Sequence, residues 1–149
     1  MSDSKYDVLK LENQICFPLY ACSKEVIKRY RPYLEELNLT YTQYIAMMVF
    51  WEHKKITVKD LGKKLFLDSG TLTPVLKSLE SKGYVSRYRS SEDERVLFAE
   101  ITDKGEALKE QAVEVPSKLA SCIRLDSDDA IQLYDLLYKI LAALKAQDE

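Results

Sequence analysis

Apolar residues recur at helical spacing along most of this 149-residue chain and give way to a β-like run in one region only. Residues 8–31 read as a first helix, with Leu9, Ile15, Leu19 and Ile27 on a loose apolar stripe. Pro18 falls inside it, and the missing N–H should bend the helix just after Cys16. Pro32 then begins a short segment to Leu37. Thr40-Tyr41-Thr42-Gln43 is a capping box, stapled by Leu39 and Tyr44, that opens a helix to about Glu52. Thr57-Val58-Lys59-Asp60 starts a short helix in the same style, stapled by Ile56 and Leu61. The next helix begins near Asp68 or Ser69 and runs to about Ser81, where Gly83 ends it as a left-handed C-cap. Pro74 lies just beyond its first turn, so either the helix starts later or that turn is distorted. Residues 84–89 and 96–101 read as two strands around a polar, acidic turn. Thr102-Asp103-Lys104-Gly105 opens a long helix interrupted at Pro116. Asp126 to Asp129 form an acidic start to the last helix, with Leu133, Leu137, Ile140, Leu141 and Leu144 at helical spacing.

Short helix, turn, helix and two-stranded hairpin, in that order, is a winged helix-turn-helix. The expected fold is therefore mainly α with a small β-hairpin wing, as one domain over residues 1–149 with the DNA-reading module at about 54–102. Composition agrees: hydrophobic residues make up 46% and charged residues 31%, which is globular and soluble rather than disordered. No apolar run approaches the ~20 residues of a membrane span. The start Met1-Ser2-Asp3-Ser4-Lys5 is polar and does not read as a secretory signal. Three cysteines, widely spaced, argue against a disulfide framework and fit a reducing cytoplasm. The single histidine, His53, reads as a structural or surface residue near a helix end. It leaves little for a His-based metal site or a Ser-His-Asp triad, so no metal and no cofactor is expected.

The net charge of −2 is unevenly spread. Between Lys54 and Arg95 stand ten Lys/Arg against six Asp/Glu, and the remainder has twelve against eighteen. A basic module on an acidic frame is the footprint of a DNA binder whose other part pairs with itself or a partner. In the second helix of the module, Ser69, Gly70, Thr71 and Thr73 present short hydroxyl side chains and a close-approaching backbone, with Lys77 one turn on. Hydroxyls reach phosphates and base edges, and threonine methyls can touch the thymine methyl. Leu72, Val75, Leu76 and Leu79 would face the core. At the wing, Arg95 stands where it could enter the minor groove, with Asp93 able to hold its guanidinium, and Arg89 adds charge on the first wing strand.

Outside that module the residue that stands out is Cys16, a thiol in an apolar, aromatic-rich segment followed by Tyr20, Tyr30, Tyr33, Tyr41 and Tyr44. Tyrosine hydroxyls can stabilise a thiolate by donation without adding a formal charge. A reactive thiol joined to a DNA reader suggests a redox-sensing transcription factor.

Val58-Lys59-Asp60-Leu61-Gly62, Leu65-Phe66-Leu67-Asp68-Ser69-Gly70-Thr71-Leu72-Thr73-Pro74, Leu79-Glu80 and Asp93-Glu94-Arg95 resemble the MarR family of repressors. Asn13-Gln14-Ile15-Cys16-Phe17-Pro18-Leu19-Tyr20 and Trp51-Glu52-His53 resemble its organic-hydroperoxide-sensing branch. The match covers roughly residues 9–110. The resemblance implies a homodimer, with helices at about 8–37 and 103–149 forming the dimerisation region, on a palindromic double-stranded operator. It implies Cys16 as the sensing thiol, oxidised by an organic hydroperoxide or another oxidant, and Tyr30 and Tyr41 as the tyrosines that hydrogen-bond it. It implies the Asp93–Arg95 pair in the wing, and the helix from Ser69 to Lys77 as the recognition helix. In one subgroup a late cysteine of the other subunit resolves the sulfenic acid; Cys122 stands in about that region, and its alternative is a small buried hydrophobe. Without a resolving cysteine, a low-molecular-weight thiol would take that part. Cys22, six residues from Cys16, reads as a packing residue. Two other functions stay open: a repressor of this type that senses a small phenolic ligand, and a thiol peroxidase. The second lacks support from any C-x-x-C or βαβ alternation.

Overall fold

The computed structural model describes residues 4–148, and they form two compact units divided between Pro116 and Ser117. The first unit holds the core. Two short 3-10 turns, Asp7–Leu9 and Leu11–Asn13, precede α1 (Cys16–Glu36) and α2 (Tyr41–His53). Strand β1 (Lys55–Thr57), α3 (Val58–Leu65) and α4 (Ser69–Ser81) follow. Then come β2 (Val85–Arg89), β3 (Leu97–Ile101), α5 (Asp103–Ala107) and α6 (Lys109–Ala112). Helix α7 (Val115–Ile123) spans the division, and α8 (Ser127–Ala146) lies in the second unit.

Helix α1 differs from its expected course at both prolines. It does not start at residue 8 and bend after Cys16; it starts at Cys16, which puts Pro18 in the first turn. There the missing N–H is one the helix could not have paired. An earlier start would drive the proline ring against the carbonyl four residues back. The preceding segment satisfies itself instead: Asn13 Nδ2 donates to the Asp7 carbonyl at 2.7 Å and Gln14 Nε2 to that of Val8. At the other end, Pro32 does not break the helix, which runs on to Glu36. Burial of Leu34 and Leu37 outweighs the one lost backbone bond. The helix stops in a Schellman turn, with Asn38 at φ 55°, its N–H on the Glu35 carbonyl at 3.0 Å and that of Leu39 on the Leu34 carbonyl at 2.9 Å.

The remaining caps follow from their residues. Thr40 and Gln43 close the capping box of α2 from both sides. Thr57 accepts from the Asp60 N–H to start α3, and Asp68 from the Thr71 N–H at 2.8 Å to start α4. Pro74 therefore sits inside an α4 that begins at Ser69 with a normal cap. Gly83, at φ 81°, ends α4 as a second Schellman turn. The turn between α3 and α4 depends on Gly62, whose added Cβ would lie 2.9 Å from the Leu67 carbonyl oxygen.

The sheet has three strands in the order β1-β3-β2, all antiparallel. Strand β1 is absent from the sequence reading because three residues are too short to show an alternation; Ile56 pairs with Ala99 and brings the edge onto the wing. The long helix expected after Thr102 is instead α5, α6 and α7, broken at Leu108 and again ahead of Pro116. Phe50, Met47, Leu61, Leu72, Leu76, Leu79 and Ala99 centre the core of the first unit. Helix α8 buries none of its residues within the chain.

Gly105 locks α5 to the turn after α4: a Cβ there would stand 2.2 Å from the Tyr84 carbonyl oxygen, and its own carbonyl accepts from Trp51 Nε1 at 2.9 Å. Gly105→Ala should therefore destabilise the fold by at least about 2 kcal/mol through overpacking. Urea unfolding at fixed protein concentration reads this, and an unchanged midpoint would show that the approach is not close.

Candidate functional site

Two sites emerge in the first unit. One is the exposed face of α4 with the wing; the other is the start of α1 with a group of tyrosines further along.

Helix α4 buries Leu72, Val75, Leu76 and Leu79, as their spacing requires, and leaves Ser69, Gly70, Thr71 and Lys77 exposed, with Thr73 partly so. The Thr73 hydroxyl donates to the Ser69 carbonyl at 2.7 Å, which leaves its methyl and lone pairs outward. Hydrogen bonds from Thr71 hold the Asp68 carboxyl below its ordinary pKa, so the cap stays ionised at the helix N-terminus. In the wing, Arg95 Nε and Nη2 donate to the two Asp93 carboxylate oxygens, each at 3.0 Å, and the Arg95 N–H adds a third bond at 3.0 Å. Arg95 is nonetheless 90% exposed, a guanidinium aimed in advance at solvent. The pair lowers the Asp93 pKa and raises that of Arg95, through the shared hydrogen bonds. Arg89 is exposed beside it, its Nη1 donating to the Glu94 carbonyl at 3.4 Å.

Two features here were missed by sequence reasoning. Lys59, Lys63 and Lys64 on α3 are all exposed, and the local basic excess was their only signal. Arg87 is turned inward: its N–H donates to Glu80 at 3.1 Å, and its guanidinium pairs with the same carboxylate, tying β2 to α4. That hydrogen bonding lowers the Glu80 pKa.

Cys16 is the first residue of α1 and is exposed, between Ile15 at 81% and Phe17 at 43% exposure. The tyrosines gather elsewhere. Tyr30 and Tyr41 have ring centroids 4.9 Å apart, Tyr44 lies 5.8 Å from Tyr30, and Trp51 closes the row 6.4 Å from Tyr44. Tyr30 stands fourteen residues beyond Cys16 on the same helix. At 1.5 Å per residue that is roughly 21 Å. Within one chain the tyrosines meet each other and not the thiol. Burial, and then its neighbours Tyr41 and Tyr44, push Tyr30 up to about 12; burial also raises Tyr41 and Tyr44. These phenols keep their protons and remain donors. Cys22, expected to pack, is exposed on α1. Cys122 is exposed on α7 rather than buried, its Sγ 3.6 Å from the Lys118 carbonyl oxygen. His53 ends α2 with Nε2 3.6 Å from the Glu52 carboxylate. Among the described residues no cluster of His, Cys, Asp or Glu could hold a metal ion, and no helix is long and apolar enough to cross a membrane.

A helix-turn-helix with an arginine-tipped wing and an exposed hydroxyl-rich second helix defines a winged-helix transcriptional regulator, not an enzyme. Residues 24–112 match the family described as Transcriptional regulator SarA/Rot. The organic hydroperoxide resistance transcriptional regulator of Bacillus subtilis (strain 168) is 47% identical over 142 residues, covering 95% of this chain and 97% of its own. Reduced AbfR bound to DNA is similar in structure, with a TM-score of 0.78 and 34% identity over 95% of this chain and 99% of that one. Disulfide-formed AbfR is similar at a TM-score of 0.66 and 34% identity, over 94% and 96%. The chain belongs to the MarR-type winged-helix regulators of the SarA/Rot family, in their organic-hydroperoxide-resistance branch.

The raised tyrosine has a consequence for stability at high pH. An unfolded Tyr30 loses its proton near 10 and the folded one near 12, so the folded state holds more protons between those values. Its contribution is complete below pH 10 and lost as pH rises toward 12. Alkaline unfolding curves should fall less steeply over that window in Tyr30→Phe than in the wild type; parallel curves would contradict the buried phenol.

Proposed function

We propose that this protein is a redox-sensing repressor that works in the cytoplasm as a homodimer, holds a palindromic operator when reduced, and leaves it when an organic hydroperoxide or a related oxidant oxidises Cys16. The observation that carries this reading is the placement of Cys16. It is an exposed thiol on the first turn of a long helix, in a chain 47% identical to a regulator of organic hydroperoxide resistance. The whole chain acts as one regulatory domain. Its DNA-reading module spans about 54–102, and its dimerisation helices lie at about 8–37 and 103–149.

In this reading Ser69, Thr71, Thr73 and Lys77 meet the major groove. Arg95, aimed by Asp93, enters the minor groove, and Arg89 with the α3 lysines positions the protein on phosphates. The distance along α1 supports a shared sensing site: Tyr30 and Tyr41 of the partner subunit, not those of the same chain, hydrogen-bond the Cys16 thiolate. The thiolate attacks the outer peroxide oxygen, the O–O bond breaks, the alcohol leaves with a proton, and Cys16 becomes a sulfenic acid. A second thiol then condenses with it, releasing water and forming a disulfide. The exposure of Cys122 supports Cys122 of the partner subunit in that role; a low-molecular-weight thiol is the alternative. The existence of a disulfide-formed AbfR supports the two-cysteine route.

Arg95→Ala should weaken binding to a duplex selected from a random library by the reduced wild type, by about 1–3 kcal/mol at matched salt. Equal affinities would remove the wing from the interface. Cys16→Ser should bind the same duplex and stay bound when cumene hydroperoxide is added. Release from that variant would favour a ligand-type signal over thiol oxidation. After mild peroxide, non-reducing electrophoresis should show a covalent dimer in wild type and in Cys22→Ser but not in Cys122→Ser; a wild type that stays monomeric, with Cys16 in a mixed disulfide, would assign the small thiol.

A further inference from the structure

Apart from the aromatic residues Tyr44, Trp51 and Tyr84, Gln43 is the only buried side chain with a polar group among the described residues, at 6% exposure, and it has more partners than its cap requires. Its backbone N–H and its Oε1 complete the capping box with Thr40, at 3.3 and 3.1 Å. The same Oε1 also accepts from Lys82 Nζ at 2.9 Å, and Nε2 donates to the Ser78 hydroxyl at 3.0 Å. Ser78 lies in the last turns of α4 and Lys82 is its C-cap residue. Lys82 Nζ also donates to the Asn38 carbonyl at 2.6 Å, in the left-handed turn that ends α1. A long bond from the Tyr84 hydroxyl to the Leu37 carbonyl, 3.5 Å, runs beside it. The end of α1, the start of α2 and the end of α4 thus converge on one carboxamide and one ammonium.

This placement is costly unless every partner is present. A buried amide or a half-buried ammonium that loses its bonds is left desolvated, and burial already lowers the Lys82 pKa. The ammonium also faces the carbonyl end of α1, the end that favours a cation. The network therefore has one well-satisfied arrangement, which fixes the bearing of α4 relative to α1. Helix α1 carries Cys16 at its far end.

We propose that Gln43, Ser78 and Lys82 form the joint that transmits a displacement of α1 to the recognition helix, making them positioning residues for the redox response. This rests on the reading of Cys16 as the sensor. Ser78→Ala removes one of the two bonds from Gln43 to the end of α4, and Lys82→Met removes the other together with the tie to the Asn38 carbonyl; both leave the Thr40–Gln43 cap whole. In either variant α4 keeps its apolar seat but follows α1 less closely.

The test uses the full-length protein and the selected duplex, with anisotropy titrations before and after cumene hydroperoxide and mass spectrometry of Cys16 in each sample. The readout is the ratio of oxidised to reduced Kd. In Ser78→Ala and Lys82→Met that ratio should fall about fivefold or more below the wild-type ratio. The double variant should fall by less than the product of the two single effects, because both side chains bond the same carboxamide. Lys82→Arg, which keeps donors for the Asn38 carbonyl and for Gln43, should restore it. A residue that merely stabilises the fold would weaken both states alike, so variants with lowered affinity and a wild-type ratio overturn the joint. A wild type with oxidised Cys16 and a ratio of one overturns the redox reading and the joint with it. Ser78→Ala removes one hydroxyl only, so it decides the question if Lys82→Met fails to fold.

Discussion

The recognition helix has to be gripped on one face so that the other can be offered to a ligand. In α4 the grip is apolar: Leu72, Leu76 and Leu79 are wholly buried with Phe50 and Leu61, and Val75 nearly so. Each such side chain contributes roughly 1.5–3 kcal/mol. An ion pair still open to water on one side, such as Arg87–Glu80, contributes at most about 1 kcal/mol. Packing therefore decides whether α4 stays on the protein. The polar ties, to Glu80 and through Gln43, decide the angle at which it stays, because hydrogen bonds are directional and apolar contacts are not.

Charge is handled in a similarly divided way. Several acidic groups of a basic module are engaged in orienting its own parts: Asp68 caps α4, Glu80 holds Arg87, and Asp93 holds Arg95. Their pKa values are all lowered, so they stay ionised in any mildly acidic or neutral solution. Outward stand the cations Lys59, Lys63, Lys64, Lys77, Arg89 and Arg95, twice as many as the further exposed carboxylates Asp60, Glu92 and Glu94. The tyrosine row beside Trp51 is the opposite case, a set of neutral donors whose burial prevents them from becoming anions.

Among the exposed apolar residues two groups stand out. In the first unit Ile15, Phe17, Leu19 and Tyr20 at the start of α1 are exposed; in the second, Ile131, Leu133, Tyr134, Leu136, Tyr138, Ile140 and Leu144 on α8 are. A chain that stayed alone would keep these residues in water, and contiguous exposure of this kind marks an interaction surface. The sensing site we propose needs the same completion, since Cys16 and Tyr30 stand about 21 Å apart along one helix.

The local structure of the module was legible in the residues. The caps at Thr40, Thr57, Asp68 and Thr102, the Gly83 stop and the two wing strands all follow from short-range chemistry, and so does the face on which Leu72 and Leu76 lie. Proline was legible only in part. Pro18 sets the start of α1 because it fits a first turn and no later one, whereas Pro32 is overridden by the burial of Leu34 and Leu37. Strand β1 gave no signal, as its pairing partner lies more than forty residues away. Cys16 and the tyrosines could be picked out by type, but a list of residues carries no distances, and the length of an unbroken helix is what separates them. The second role of Gln43 was equally hidden. Its place in a capping box is a matter of three-residue spacing, while its bonds to Ser78 and Lys82 exist only because the core brings α4 against the start of α2.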